Sequence, residues 1–124
     1  MRKIPVNGFD VDVPLSMGIE HDDVVYVSGQ AAFDPETGDV VGETVAEETT
    51  LTLENVESVL ESAGASLDDV VKTQVFLTDV DDFEEMNEAY REAFSEPYPA
   101  RSAFEVGDLA ADIRVEIEAI AATD

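Results

Sequence analysis

The stretch Ile113-Arg114-Val115-Glu116-Ile117-Glu118-Ala119-Ile120-Ala121 alternates between apolar residues at odd positions and charged residues at even positions, with Ile120 as the exception. Successive side chains of a β-strand point to opposite faces of a sheet, so this alternation predicts a strand with one apolar face. That face carries Ile113, Val115, Ile117, Ala119 and Ala121, and the other carries Arg114, Glu116, Glu118 and Ile120. We expect the apolar face to cover a hydrophobic core and the glutamates to point away from it.

Further strands are predicted on the N-terminal side of this stretch. Tyr98-Pro99-Ala100-Arg101-Ser102 begins with a proline-set turn and leads into a short strand from about Arg101 to Val106. Val70 to Leu77 and Val24 to Ser28 are rich in β-branched residues and also predict strands. The latter strand runs into Gly29, where a hydroxyl group and a close-approaching backbone can contact a small molecule.

Two helices are predicted between these strands. Thr44-Val45-Ala46-Glu47 has the form of a capping box, and apolar residues then recur at helical spacing as far as Gly64. These residues are Leu53, Val56, Leu60 and Ala63, and they predict a helix of about five turns. Asp81 is expected to cap the second helix. The inner face of that helix carries Phe83, Met86 or Asn87, Tyr90 and Phe94.

The predicted order of elements is β-β-α-β-α-β-β, and a further N-terminal strand near Lys3 to Val6 fits the pattern. Two helices for one sheet imply a two-layer α+β fold. The chain has 124 residues and shows no internal repeat or linker-like segment. We therefore expect a single domain over residues 1–124.

The charge composition is strongly acidic. The chain has 30 acidic and 6 basic residues, a formal net charge of −24, and 44% hydrophobic residues. Because a core and this charge coexist, the carboxylates must lie on the surface, where such a coat is typical of halophilic proteins in molar salt. Clustered Lys and Arg are needed to bind nucleic acid, and no such cluster exists in the sequence.

Other function classes are also disfavoured by composition. No apolar run approaches the length of a membrane-spanning helix, and no apolar region follows Arg2 and Lys3, so we expect a cytoplasmic protein. The absence of cysteine excludes thiolate nucleophiles and cysteine-ligated zinc. The turn from Asp34 to Asp39 lacks the spacing of an EF-hand, so no metal site is expected there.

Six blocks of the sequence, taken together, resemble the Rid/YjgF family of enamine/imine deaminases. They run in register from about Val13 to Ala122. The blocks are Val27-Ser28-Gly29-Gln30, Asp34-Pro35-Glu36-Thr37-Gly38, Asp69-Val70-Val71-Lys72-Thr73, Asp79 to Tyr90, Pro99-Ala100-Arg101-Ser102 and Val115 to Ala121. The resemblance implies a chorismate-mutase-like fold, with a mainly antiparallel six-stranded sheet and two helices on one face.

The resemblance also implies an activity. Such proteins hydrolyse reactive 2-imino acids, formed from 2-aminoacrylate or 2-aminocrotonate, to 2-oxo acids and ammonia. They need no cofactor, and their active sites lie between the subunits of a homotrimer. The matching residues here are Arg101 for the substrate carboxylate, Glu116 for the water, and Ser28, Gly29 and Asn87 for substrate binding.

Two positions depart from the family pattern. Leu15 stands where many members have a tyrosine, and Ala103 stands where a cysteine is frequent. The missing phenol removes a hydrogen-bond donor near the substrate, so it bears on rate and substrate range. Loss of the cysteine has less weight, because that residue is not general to the family.

The residue types fit the implied chemistry, and each also has a simpler interpretation. The planar fork of Arg101 matches a carboxylate but could equally form a structural salt bridge. Glu116 could act as a general base or be one more exposed glutamate, and Glu118 shares its face. Asn87 could turn into the pocket or satisfy a loop. Ser28 is not expected to be a nucleophile, because the only histidine, His21, lies in an acidic turn.

Two alternatives to catalysis also fit the sequence. The chain could be a non-catalytic trimeric binder of small carboxylates or 2-oxo acids, which would need Arg101 but not Glu116. The substitution at Leu15 is the main feature that favours this interpretation. The chain could also be a holdase-type chaperone or a ribonuclease, although the lack of a basic groove disfavours RNA.

Overall fold

The computed structural model describes residues 1–4 and 13–123. In chain order, the strands and α-helices are β1 (Arg2–Lys3), β2 (Gly18–His21), β3 (Val24–Gln30), α1 (Val45–Ser62), β4 (Val70–Leu77), α2 (Phe83–Ala93), β5 (Ala100–Glu105) and β6 (Val115–Ala122). The predicted N-terminal strand is present as β1, although Val6 lies outside the described residues. No helix in the described part of the chain is both long and apolar enough to cross a membrane.

The strands form one six-stranded sheet in the order β1-β2-β3-β6-β4-β5. Every neighbouring pair is antiparallel except β4 and β5, which are parallel. The predicted mainly antiparallel α+β fold is therefore confirmed. The last strand, β6, lies in the middle of the sheet between β3 and β4, so it is supported on both edges.

The hydrophobic core lies between one face of this sheet and both helices. Side chains of β6 alternate as expected, with Val115, Ile117, Ala119 and Ala121 buried and the intervening residues half-buried. Leu53, Val56 and Leu60 from α1 and Met86 and Tyr90 from α2 join the same core cluster. We call this face of the sheet the helix face and the opposite face the open face.

The start of each helix differs from expectation in one detail. Thr44 accepts a hydrogen bond from the Glu47 backbone N–H as predicted, but the Glu47 carboxylate accepts from the N–H of Glu43 rather than from Thr44. The prediction that Asp81 caps the second helix is wrong. The N-cap position of α2 is Asp82, which makes no side-chain cap hydrogen bond, and Asp79 caps the 3₁₀ turn before α2 by accepting from the Asp81 N–H.

An ion pair between a buried carboxylate and a half-exposed arginine joins α1 to the start of β6. The Glu48 side chain is only 2% exposed, and its carboxylate accepts hydrogen bonds from the backbone N–H and the Nε of Arg114. Removing one partner of a buried pair leaves an uncompensated charge, which makes such pairs costly to break. This contact fixes the first residues of β6 against the helix layer, two positions before Glu116.

Candidate functional site

Arg101 lies on the edge strand β5, on the helix face of the sheet. Its backbone pairs with Thr73 of β4, a buried residue whose side chain contacts α2. The Nη1 atom of Arg101 donates a hydrogen bond of 2.7 Å to the Oδ1 atom of Asn87 on α2. The structure therefore brings together two of the residues predicted for substrate binding.

Two aromatic rings of α2 hold the guanidinium group of Arg101. Its Cζ atom lies 4.9 Å from the centre of the Tyr90 ring and 5.5 Å from that of Phe83. The Tyr90 hydroxyl is hydrogen-bonded at 2.7 Å to the Thr73 hydroxyl. Burial raises the pKa of Tyr90, while the hydrogen bond to Thr73 and the charge of Arg101 act in the opposite direction. Neutral groups thus fix the direction of the guanidinium, and Arg101 has no carboxylate partner among the residues that the structure describes.

The Arg101 side chain borders a cleft of about 210 Å³. The cleft is lined by Asn87, Tyr90, Arg91, Tyr98, Pro99 and Arg101. No carboxylate is among these residues, although almost a quarter of the chain is acidic. We call Arg101, Asn87 and this cleft the arginine half-site, because it is equipped to bind the carboxylate of a small acid.

Glu116 lies on the open face of the sheet, next to the end of β3. The β3–β6 register shifts between Val27 and Gln30, and Gly29 lies within this irregular segment. A β-carbon on Gly29 would lie 2.9 Å from the Glu116 Cδ atom, so glycine leaves the space that the carboxylate occupies. Burial is the main cause that raises the pKa of Glu116, and the negative charge of Glu118 raises it further. A carboxylate in this state accepts a proton more readily than an ordinary glutamate.

Ser28 supports the chain beside this glutamate. Its hydroxyl donates to the Ser16 carbonyl at 2.5 Å, and its backbone N–H donates to the Met17 carbonyl at 2.9 Å. The segment that contains Leu15 is thereby held next to Ser28. We call Glu116, Ser28 and Gly29 the glutamate half-site. His21 is exposed beside Asp22, at the end of the β2–β3 pair that lies opposite Ser28. It therefore does not serve as a base for Ser28.

Glu118 occupies a different position from Glu116. It pairs with Gln74 of β4 and lines a separate cavity of about 190 Å³ with Tyr26 and Lys72. Only Glu116 of these two carboxylates is among the nearest neighbours of Gly29. The geometry therefore favours Glu116 as the partner of the Ser28–Gly29 segment.

The two half-sites lie apart within one chain. Arg101 is level with Ala119 of β6, since both pair with Thr73, and Glu116 lies three residues farther along β6. With strands about 4.8 Å apart and about 3.4 Å per residue, the Cα atoms of Arg101 and Glu116 are roughly 14 Å apart. Their side chains also point to opposite faces of the sheet. One small substrate cannot contact both residues of the same chain.

Some residues of the arginine half-site were not predicted from the sequence. Phe83 and Tyr90 were expected only to lie on the inner face of the second helix, and both in fact contact the guanidinium. The signal was present in the spacing, because Phe83, Asn87 and Tyr90 recur at intervals that share one helix face. No comparable spacing pattern pointed to Arg91 or Thr73 as residues of this half-site. Within the described ranges, no group of three or more His, Asp or Glu residues could hold a metal ion.

Comparisons with known proteins agree with this architecture. The family model described as "Endoribonuclease L-PSP" matches residues 7–123. Human 2-iminobutanoate/2-iminopropanoate deaminase is 42% identical over 108 residues, which cover 87% of this chain and 79% of that one.

Two solved structures are similar over the whole chain. A putative endoribonuclease from Thermotoga maritima has a TM-score of 0.94 and 39% identity, covering 100% of this chain and 98% of its own. Escherichia coli TdcF with bound serine has a TM-score of 0.92 and 35% identity, covering 100% of both chains. The chain therefore belongs to the Rid/YjgF family, the family that carries the endoribonuclease L-PSP description.

Proposed function

We propose that this protein is an enamine/imine deaminase. Its substrates would be 2-imino acids formed from 2-aminoacrylate or 2-aminocrotonate, and its products 2-oxo acids and ammonia. The observation that carries the proposal is the ring-held Arg101 in a cleft without carboxylates. The human relative is named for this activity, and the similar TdcF structure is described with serine, a small molecule that also has an α-carboxylate.

Arg101 would bind the substrate carboxylate through two parallel hydrogen bonds. Its Nη1 atom is already bonded to Asn87, which orients the remaining N–H groups. Bidentate pairing positions the substrate as well as attracting it, and positioning is a large part of catalysis. Asn87 supports this role better than an aspartate would, because a neutral amide orients the cation without neutralising it.

Glu116 would activate the attacking water. It would accept a proton from the water as the oxygen attacks the imine carbon, and a carbinolamine would form. That proton would pass to the imine nitrogen to complete the carbinolamine. Glu116 would then take the hydroxyl proton and pass it to the amino group as the C–N bond breaks, so that ammonia leaves and the 2-oxo acid remains. The pKa of Glu116, raised by burial and by the charge of Glu118, makes this carboxylate a better proton acceptor than an ordinary glutamate.

The active site would form between chains. Arg101 and Glu116 cannot reach one small molecule within a single chain, but a cyclic assembly can place the arginine half-site of one chain against the glutamate half-site of its neighbour. We propose a homotrimer with three such composite sites. The open face of the sheet supports such an assembly, since Tyr26 and Phe104 are exposed there.

Complementation between inactive variants tests this arrangement. Arg101→Ala and Glu116→Gln chains should each be inactive alone. When they are assembled together in equal amounts, about one site in four should receive Arg101 from one chain and Glu116 from the other, so about a quarter of the wild-type activity should return. If no activity returns although mixed assemblies are demonstrated, the composite site is wrong.

The activity itself is tested by generating 2-aminoacrylate enzymatically from serine and following pyruvate release. The wild-type protein should accelerate release above the uncatalysed rate, and Arg101→Ala and Glu116→Gln should not. No acceleration by the wild type would defeat the proposal. A protein that binds 2-oxo acids through Arg101, accelerates nothing and is unaffected by Glu116→Gln would instead be the non-catalytic binder.

RNA cleavage has less support. The six basic residues are dispersed: Arg2 pairs with Glu20, Arg114 pairs with Glu48, and Lys72 lies on the open face of the sheet. Arg91 and Arg101 share a surface, but it is a small cleft rather than an extended groove. Binding to a phosphate chain relies on several adjacent cations.

A further inference from the structure

Arg91 is a second cation in the arginine half-site. It lies on α2 four residues after Asn87, so both side chains leave the same side of the helix. Both Arg91 and Arg101 line the cleft of about 210 Å³. Two of the six basic residues of the chain therefore meet at one small cavity, and no acidic residue in the part of the chain that the structure describes lines it.

The charge of Arg91 is not used by the fold. Glu88 lies three residues before it on the same helix, at a spacing that allows an ion pair. Even so, Arg91 takes part in none of the ion pairs or side-chain hydrogen bonds found between residues 1–4 and 13–123. Arg91 therefore borders the cleft without an ion pair to the carboxylates near it, although the chain has a net charge of −24. Its guanidinium is available for an anionic ligand.

A substrate with one carboxylate needs only one of these cations. Arg101 is the better placed for the carboxylate next to the reacting carbon, because Asn87, Phe83 and Tyr90 fix its direction. Arg91 is exposed at the rim and would meet the far end of a bound molecule. At about 30 Å³ for each water molecule, the cleft has room for about seven waters, enough for the chain of a small dicarboxylate.

We infer that Arg91 selects substrates with a second carboxylate. The preferred substrates would be dicarboxylic 2-imino acids of four or five carbons, in which Arg101 binds the carboxylate beside the imine and Arg91 binds the terminal one. This inference rests on the proposed function for the identity of the reacting group. The reaction is unchanged: water replaces the imine nitrogen, and ammonia leaves.

Equilibrium binding of stable product analogues tests the inference without turnover. The matched pair is 2-oxoglutarate and 2-oxopentanoate, which have the same five-carbon chain and differ by a terminal carboxylate in place of a methyl group. Calorimetric titrations would be made at a fixed ionic strength of about 0.15 M, where charges interact over about 8 Å. The wild type should bind 2-oxoglutarate about two- to fivefold more tightly than 2-oxopentanoate, the range expected for a partly exposed charge pair.

The variants assign this preference to one residue. Arg91→Gln should weaken 2-oxoglutarate more than 2-oxopentanoate and so reduce the ratio of the two affinities to about one, and Arg91→Lys should keep most of the preference. Arg2→Gln removes an exposed arginine far from the cleft and should change nothing. Arg101→Gln should weaken both ligands alike. A wild-type ratio of one or less, or a preference that persists in Arg91→Gln, would overturn the inference.

The two proposals can fail separately. If the wild type does not accelerate pyruvate release from 2-aminoacrylate but shows the Arg91-dependent preference for 2-oxoglutarate, the deaminase proposal fails and the second carboxylate site stands. If the wild type deaminates 2-iminopropanoate and binds both analogues equally, the deaminase proposal stands and the role of Arg91 is rejected.

Discussion

Gly29 lies so close to Glu116 that a β-carbon at position 29 would overlap the Oε2 atom of the glutamate. The register shift between Val27 and Gln30 brings the backbone of β3 to this position. The absence of a side chain at residue 29 is therefore what permits the present position of the carboxylate. A substitution at residue 29 can therefore displace the Glu116 carboxylate while the glutamate itself stays unchanged.

Gly29→Ala should displace the Glu116 carboxylate and lower deaminase kcat by at least about tenfold, because small misplacements of a catalytic group are costly. Stability should change by less than about 1 kcal/mol, since the clashing atom is the mobile end of a long side chain. Steady-state kinetics and thermal melts measure the two effects. Gly107→Ala is the matched control, because a β-carbon at Gly107 meets no atom within 4 Å. Equal kcat in both variants would argue against Glu116 as the base.

Glu116→Gln should stabilise the fold at neutral pH. Burial and the charge of Glu118 raise the pKa of Glu116 in the folded protein, so the folded state holds the proton more tightly than the unfolded state. The cost of ionising Glu116 appears as pH rises above the unfolded value of about 4.3 and is complete above the folded pKa. The Gln variant avoids this cost, which should be below about 1 kcal/mol because the carboxylate is partly hydrated.

Denaturant melts of this variant between pH 3 and pH 8 check the sign. The gain in the free energy of unfolding over wild type should be present at pH 7 and absent at pH 3. Glu36→Gln, on the exposed turn after β3, controls for the loss of one negative charge. A variant that is less stable than wild type at pH 7 would contradict the assigned pKa direction.

The Thr73–Tyr90 hydrogen bond should make a measurable contribution to stability. Thr73→Val leaves the Tyr90 hydroxyl buried without a partner, and Tyr90→Phe does the same to Thr73, so each should cost about 1–3 kcal/mol. The double variant should cost clearly less than the sum of the two. Strictly additive costs in this double-mutant cycle would show that the two hydroxyls are not coupled.

Salt should stabilise the protein if its acidic coat is an adaptation to a salty environment. Repulsion among surface carboxylates in a chain of net charge −24 is screened over about 3 Å in 1 M salt and over much longer distances in dilute buffer. The melting temperature should rise between dilute buffer and molar KCl. Sorbitol at equal osmolality is the control for excluded-solute effects. An unchanged melting temperature would reject the adaptation.

Local sequence patterns predicted the elements of the fold well. The alternation in β6 and the helical spacing in α1 depend on neighbouring residues, and both were confirmed. The cap of α2 was misplaced, because the sequence offers Asp79, Asp81 and Asp82 within four positions and each can cap a turn. Which one does so depends on the path of the chain after β4.

The relative placement of the candidate residues was harder to predict. Arg101 and Glu116 were expected on the last two strands, and they are there, but β4 lies between these strands and the side chains point to opposite faces. Strand order is set by long-range pairing, which no local pattern reports. The roles of Arg101, Glu116, Ser28, Gly29 and Asn87 stay predictions.

The position of Arg101 on one face and Glu116 on the other has an evolutionary consequence. If gene duplication produced two versions of this chain, mixed rings could contain sites of different composition. One of the two chains could change the cleft around Arg91 while the other chain kept Glu116 unchanged. The proposed division of the site between chains would thus allow substrate range to diversify while an ancestral activity persists in the same assembly.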